Sequence, residues 1–235
     1  SLFILNYLIA KKAKEDNEYY VLRGRGSNSY IAYLLGISEL NPLDYGLEYE
    51  MSYGLKGEKA PEFYYFFSNT YYPNIMKYVK ETVTKNISYD TTYIDNNLIR
   101  YLVHIYIFVD SGIDTLYELK KITGMDYNNI NIKDKKIWDI FKDYNKIFCY
   151  MPSYFEKSLF QKIQPKSLEE LDTIYGLTKS TFDHEQGKDL AEQIIKMKEY
   201  STRDDIYSFL LSKDIEKEIA FEITEKVISK APRLF

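Results

Sequence analysis

Few residues in this chain are of types that do chemistry, and fewer are spaced to do it together. Two histidines, His104 and His184, lie far apart, and Cys149 is the one cysteine. Structural zinc needs four such ligands at short spacings, so no zinc constellation is present. No histidine stands near Cys149 in sequence to activate its thiol. His104 alternates along an apolar run and reads as a core or edge histidine, and His184 in "FDHEQGK" reads as a loop residue. Cys149 in "KIFCYMP" reads as a small hydrophobe, and Trp138 in "KKIWDIF" as a helix anchor in the core. Two stretches remain. In "APEFYYFF", Ala60 to Phe67, a proline and a glutamate open a run with five aromatics in eight residues. The run reads as a strand buried on both faces, and in a strand Glu62, Tyr64 and Phe66 share one face because side chains alternate. In "GRGSNS", Gly24 to Ser29, glycines supply backbone freedom, and Ser27, Asn28 and Ser29 are candidate caps for a following helix.

The elements that must position these residues come in two blocks. "LFILNYLIAKKAKED" has helical spacing, "EYYVL" is a short β-type run, and "YIAYLLGI" is an apolar helix that Gly36 can close. "LEYEMSY" and "PEFYYFF" read as strands. "YYPNIMKYVKETV" has helical spacing with Pro73 in its first turn. "LIRYLVHIYIFV", rich in β-branched and aromatic residues, reads as a central strand. After Asp110 the segments "GIDTLYELKKITG", "IKDKKIWDIFKDY", "PSYFEKSLFQKI", "KSLEELDTIYG", "GKDLAEQIIKMKEY", "TRDDIYSFLLSKD" and "IEKEIAFEITEKVISK" all carry apolar residues at helical spacing. The expected fold class is α+β, with an α+β region at residues 1–110 and an all-helical region at 111–235.

Composition narrows the classes of function. The 235 residues are 45% hydrophobic and 28% charged, enough for a real core under a charged surface. No apolar run reaches the ~18 residues of a membrane span. The opening "SLFILNYLIA" flows into "KKAKED" as an amphipathic helix rather than a secretory leader. One cysteine excludes an internal disulfide framework and fits a reducing cytoplasm, so the expected location is cytoplasmic, away from membranes. Net charge is −4, with acidic and basic residues interspersed. Duplex binding draws on a basic balance or face, so DNA or nucleotide binding is expected to be weak or absent.

"GRGSNSYIAYLLGISELNPLDYGLEYE", Gly24 to Glu50, closely resembles the start of the palm in bacterial C-family replicative DNA polymerases, the alpha subunits of DNA polymerase III of the PolC and DnaE types. The family pattern is a glycine/serine loop, a helix ending in Leu-Gly-Ile-Thr, then Asn/Asp-Pro-Leu and a Leu-Phe-Glu-like strand; this chain supplies "LLGIS", "NPL" and "LEYE". "ITGMDYNNINIKDKKIWDIF" and "STRDDIYSFLLSKDIEKEIAFEITEKV" are similar to PolC segments leading into and within the fingers. The resemblance runs from about Leu5 to Lys230. It implies a nucleotidyltransferase-like palm sheet followed by fingers helices. It also implies that the glycine/serine loop holds an incoming triphosphate, with Arg25, Gly26 and Ser27 as phosphate-binding candidates. In the family three aspartates on neighbouring strands hold two magnesium ions.

Against that pattern, "PEFYYFF" aligns with Pro-Asp-Phe-Asp, so the first aspartate position holds Glu62 and the second Tyr64, with Phe66 at the next polar position. "LVHIYIFV" places Tyr106 where the third aspartate belongs. Asp110 shares Tyr106's face but lies ~13 Å along the strand, too far to join metals ~3.5–4 Å apart. The loop is shorter than the DnaE version. Little more than "TKNISYDTT" stands where the family carries its thumb, and the reading expects a truncated chain.

The sequence is therefore read as a catalytically inactive relative of the polymerase alpha subunit, a non-enzymatic binding or scaffold protein or a relic. No cofactor is expected, with magnesium only if activity remains and Glu62 its one carboxylate. A protein partner or self-association is open. One alternative is residual magnesium-dependent nucleotidyl transfer using Glu62. Another is nucleic-acid binding without catalysis through Arg23, Arg25 and scattered lysines.

Overall fold

Residues 2–59, 61–83, 104–126, 129–131, 133–143, 160, 162–178 and 202–230 are described by a computed structural model of the chain. They fall into two compact units, Ser1–Met125 and Asp126–Phe235. The fold is mixed α+β, mostly helical, with one small sheet. Cys149, His184, the "GKDLAEQIIKMKEY" segment, "TKNISYDTT" and most of "PSYFEKSLFQKI" lie outside the described residues.

The first unit is built on helix α1, Leu2–Glu15, whose Asn6, Ile9, Ala10 and Ala13 are buried. That spacing makes one inward stripe. It packs on strand β2, Glu62–Phe67, where Phe63, Tyr65 and Phe67 are fully buried. The Tyr65 hydroxyl donates to the Asn6 carbonyl at 3.2 Å. Glu62, Tyr64 and Phe66, on the opposite face of β2, remain partly exposed. The expectation of burial on both faces is thus corrected: an aromatic run alone does not say how many layers cover it, and α1 covers one face.

Strand β1, Val21–Arg23, runs antiparallel to β2, with Val21 opposite Phe66 and Arg23 opposite Tyr64. Strand β3, His104–Val109, runs parallel to β2, with Glu62 opposite His104, Tyr64 opposite Tyr106 and Phe66 opposite Phe108. The sheet order is β1-β2-β3, so among the described residues the middle strand is β2 rather than the expected β3. Parallel pairing demands a crossover, and helix α4, Tyr72–Tyr78, with Pro73 in its first turn, lies on that connection.

Between β1 and β2 the chain makes a 3₁₀ turn, Arg25–Asn28, then helix α2, Tyr30–Leu34, a second 3₁₀ turn, Pro42–Tyr45, and helix α3, Tyr49–Tyr53. Of the three candidate caps, Ser29 takes the role: its Oγ accepts from the Ile31 N–H at 3.2 Å. Gly36 leaves α2 at φ +67°. The expected strand in "LEYEMSY" is instead α3. Met51, Ser52 and Tyr53 are all buried, a run of inward residues that one pleated face cannot provide. The Tyr53 hydroxyl reaches the Gly26 carbonyl at 3.4 Å. Packing against the Arg25–Asn28 turn decides the conformation over the alternating pattern.

Helix α5, Ser111–Thr123, belongs to the same unit. Asp110 is its N-cap, accepting from the Gly112 N–H at 2.8 Å while its own N–H donates to the Phe67 carbonyl at 2.7 Å. Asp114 accepts from the backbone and side-chain nitrogens of Asn69, and Tyr117 donates to Glu18 at 2.5 Å.

Asp16 joins α1 to α4: it accepts from Lys12 at 2.7 Å and from the Tyr71 hydroxyl at 2.6 Å. Those two hydrogen bonds, Lys12 first, hold its carboxyl below the usual range. A depressed folded-state pKa stabilises above the unfolded value and is lost as pH falls through the folded one. The stability advantage of wild type over Asp16→Asn is therefore expected in full above pH ~4 and to shrink below it. Urea midpoints between pH 3 and 7 measure this; a difference independent of pH would sink the assignment.

In the second unit every described element is helical: α6, Lys135–Trp138, followed by a 3₁₀ turn at Asp139–Lys142; α7, Leu168–Thr178; α8, Arg203–Ser212; and α9, Lys217–Lys230. Phe141 is the buried ring, 5.4 Å from Phe160; Trp138 stacks on it at 6.2 Å but stays partly exposed, so the anchor is Phe141 rather than Trp138. Thr202 and Asp205 form a reciprocal capping box at the start of α8. Tyr207 packs edge-on against Phe221 of α9 at 6.3 Å. Among the described residues no helix is long and apolar enough to cross a membrane.

Candidate functional site

The register of β2 and β3 sets Tyr64 beside Tyr106, with ring centroids 4.8 Å apart and planes within 9°. Phe108 extends this layer, 6.4 Å from Tyr64 and 6.3 Å from Tyr106, and Phe66 lies 5.3 Å from Phe108. The Arg23 guanidinium sits 5.0 Å from the Phe66 ring, within cation–π range. Cross-strand aromatic pairs of this kind contribute roughly 0.5–1.5 kcal/mol beyond area burial.

At one end of the layer the Tyr64 hydroxyl donates to Glu62 Oε2 at 2.9 Å. Burial first, then that hydrogen bond, push the Tyr64 phenol above its ordinary value, while the Arg25 charge works in the other direction. The phenol therefore stays protonated at neutral pH and acts as a donor. Glu62 is left as the one carboxylate on this face at positions 62, 64, 66, 106 and 108. Asp110 is committed to capping α5.

A magnesium pair of the kind the resemblance implies requires a matching set of donors. Magnesium takes hard oxygen ligands, chiefly ionised carboxylates and water. Here the one carboxylate already accepts a hydrogen bond from the Tyr64 hydroxyl, and stacked rings fill the neighbouring positions. Among the described residues no group of three or more His, Cys, Asp or Glu is placed to hold a metal. The described residues of this face do not fit a two-metal centre.

The glycine/serine loop packs directly on β2. Gly24 has φ +97°, and a Cβ there would lie 2.5 Å from the Glu62 carbonyl oxygen and 2.6 Å from the Tyr64 ring. At Gly26 a Cβ would lie 2.2 Å from the Phe63 ring. Ser27 is buried, and its Oγ donates back to the Gly24 carbonyl at 2.7 Å. Ser29 is committed to its cap. Of the three phosphate-binding candidates, Gly26 and Ser27 thus face inward, and their polar groups close the loop on itself. Arg25 is partly exposed, its side chain makes no hydrogen bond or ion pair among the described residues, and it acts on Tyr64 through its charge.

The structure therefore brings Arg25, Glu62, Tyr64 and Tyr106 to one locality and sets Gly26 and Ser27 behind it. Phe108 escaped the sequence reading, and Gly24 was read only as a source of backbone freedom. Phe108 follows Tyr106 by two positions, so strand alternation alone puts it on the same face. Gly24 carried a weaker signal: its need for glycine comes from a strand some forty residues on.

Residues 1–198 match the family described as the bacterial DNA polymerase III alpha NTPase domain. No curated protein matches the chain.

Proposed function

Because the chain belongs to the family of the bacterial DNA polymerase III alpha NTPase domain, we propose that it is a polymerase-type palm and fingers fold whose metal chemistry has been replaced by an aromatic layer, leaving a non-enzymatic binding or scaffold role. The observation that carries this reading is the stacked Tyr64–Tyr106 pair with Glu62 held by the Tyr64 hydroxyl. In-line displacement on two metals needs bridging carboxylates that bring the ions ~3.5–4 Å apart. Two neutral phenols cannot supply that charge, and separating the rings to admit ions would forfeit their stacking. The inward-turned Ser27 supports the same reading, since a phosphate-binding hydroxyl has to face its ligand. Residual transfer through Glu62 would need further carboxylates at the positions the rings now fill.

Magnesium and deoxynucleoside triphosphates decide the matter, by thermal shift and by calorimetry on the purified chain. The expected result is no magnesium-dependent rise in Tm and no saturable heat of triphosphate binding. A ligand at a hundred times its Kd would add about 2.7 kcal/mol of stability, well within reach of the measurement. Saturable, magnesium-dependent triphosphate binding that weakens in Glu62→Ala would overturn the proposal and call for a primer-extension assay.

A further inference from the structure

Helix α5 is held to its unit in a different way from α1. The stripe Asn6, Ile9, Ala10 and Ala13 turns fully inward from α1. In α5, among the described residues, Ile113 alone is fully buried, while Leu119 and Ile122 are 50 and 77% exposed. Burial of an apolar face supplies most of what fixes a helix to a core. Little of that is present here, and polar contacts set the place of α5 instead.

Those contacts form two moorings. In the first turn, Asp114 accepts from the Asn69 backbone and side-chain nitrogens at 3.0 and 2.6 Å, and from the Thr70 hydroxyl at 3.4 Å. Burial works to raise its carboxyl, and these hydrogen bonds outweigh burial and hold it below the usual range. Further along, the Tyr117 hydroxyl accepts from the Tyr19 N–H at 2.7 Å and donates to Glu18 at 2.5 Å. Burial first, then the bond to Glu18, push this phenol up, so it stays a donor at neutral pH. The Tyr117 ring stacks on Tyr19 at 5.0 Å, and Lys120 donates to the Tyr19 hydroxyl at 2.8 Å.

The corner that receives α5 is built without it. Asp16 is tied to Lys12 and Tyr71, and the Glu18 N–H donates to the Ala13 carbonyl at 2.8 Å. Hydrogen bonds between half-exposed groups exchange for water at small net cost, whereas the enclosed rings of β2 have no such substitute. Detaching α5 therefore costs less than opening the sheet. At its far end α5 closes on Gly124, at φ +69°, and the second unit begins at Asp126.

We propose that α5 is a releasable strap, which leaves the Asp16–Tyr19 corner and Asn69–Thr70 as one piece while α1 and the sheet stay folded. Its release frees the segment that leads into the second unit. The strap is fastened beyond the Phe67 end of β2, and Glu62 stands at the other end. It does not depend on the state of the metal site.

Native-state hydrogen exchange on the full chain, read by mass spectrometry at increasing low urea without magnesium or nucleotide, tests it. The α5 amides are expected to exchange at least about tenfold faster than those of β2. Their opening should respond weakly to urea, because it uncovers little apolar surface. Tyr117→Phe keeps the ring stack but removes the hydroxyl between Tyr19 and Glu18, and should speed α5 exchange about tenfold. Ile9→Val thins the core under β2 and should speed β2 exchange about two- to tenfold. It should leave α5 exchange unchanged, because the fastened and released states lose that packing equally. If α5 and β2 instead speed up together in Ile9→Val, with one urea dependence, the helix opens only with the whole unit and the proposal is overturned. It is overturned as well if Tyr117→Phe leaves α5 exchange unchanged, or if wild-type α5 exchanges like a free peptide. Because no magnesium or triphosphate is present, failure here leaves the proposed loss of catalysis standing, and the converse holds.

Discussion

Phe63→Ala is expected to remove about 3–5 kcal/mol of stability, the ordinary cost of emptying a fully enclosed aromatic site. The ring is fully buried, packs edge-on to Phe3 at 5.9 Å, and is roofed by the backbone of Gly26. Collapse around the cavity is restricted from both sides, because α1 and the glycine loop are each tied down elsewhere. Domains carry only about 5–15 kcal/mol in total, so the variant should unfold at much lower urea. A loss below about 1 kcal/mol with an unchanged dependence on urea would mean that the loop does not sit on this ring.

Gly24→Ala is expected to cost about 3 kcal/mol or more, measured in the same way. Two effects add: a φ of +97° that L side chains avoid, and a Cβ 2.5 Å from the Glu62 carbonyl oxygen. The obstructing atom is backbone, at the end of β2 whose partners are fixed by β1 and β3, so it cannot turn aside as a side chain would. Gly46→Ala serves as the control. Gly46 has φ +61° but nothing within 4 Å of its Cβ position, leaving only the backbone term of about 1–2 kcal/mol. The comparison bears on function, because it is made without nucleotide. If Gly24 and Gly26 are needed for packing alone, the glycine/serine loop has a reason to persist that requires no phosphate ligand. Equal losses in Gly24→Ala and Gly46→Ala would remove that reason.

What the sequence made legible was governed by local rules. The inward stripe of α1, the Ser29 cap, the Gly36 exit, Pro73 in the first turn of α4 and the start of α5 after Asp110 all follow from residues within a turn or two. The β2 strand was legible too, and so was the sharing of one face by Glu62 and Tyr64. Where it failed, the deciding contact came from far along the chain. "LEYEMSY" alternates like a strand, yet Tyr53 is drawn into a helical turn by a carbonyl twenty-seven residues earlier, at Gly26. The half-exposure of the Tyr64 face depends on α1 choosing the other side. The apolar helix at α2 was legible as a helix, and nothing local to it reveals that its side chains lie open.

The sheet has one more consequence, and it concerns synthesis. β2 pairs on one side with residues about forty positions before it and on the other with residues about forty positions after it, so no hairpin can form early. At a translation rate of roughly 5–20 residues per second, β2 waits seconds for β3 to appear. During that interval α1 and β1 are already present to cover Phe63, Tyr65 and Phe67, but the Tyr64 and Phe66 face has no stacking partner from β3. "EFYYFF" is an apolar β-rich run of the kind that templates intermolecular pairing. Pro61 and Glu62 stand at its head, where a proline and a charge act as gatekeepers against that fate. On this view Glu62 guards the nascent strand as well as accepting a hydrogen bond in the finished one.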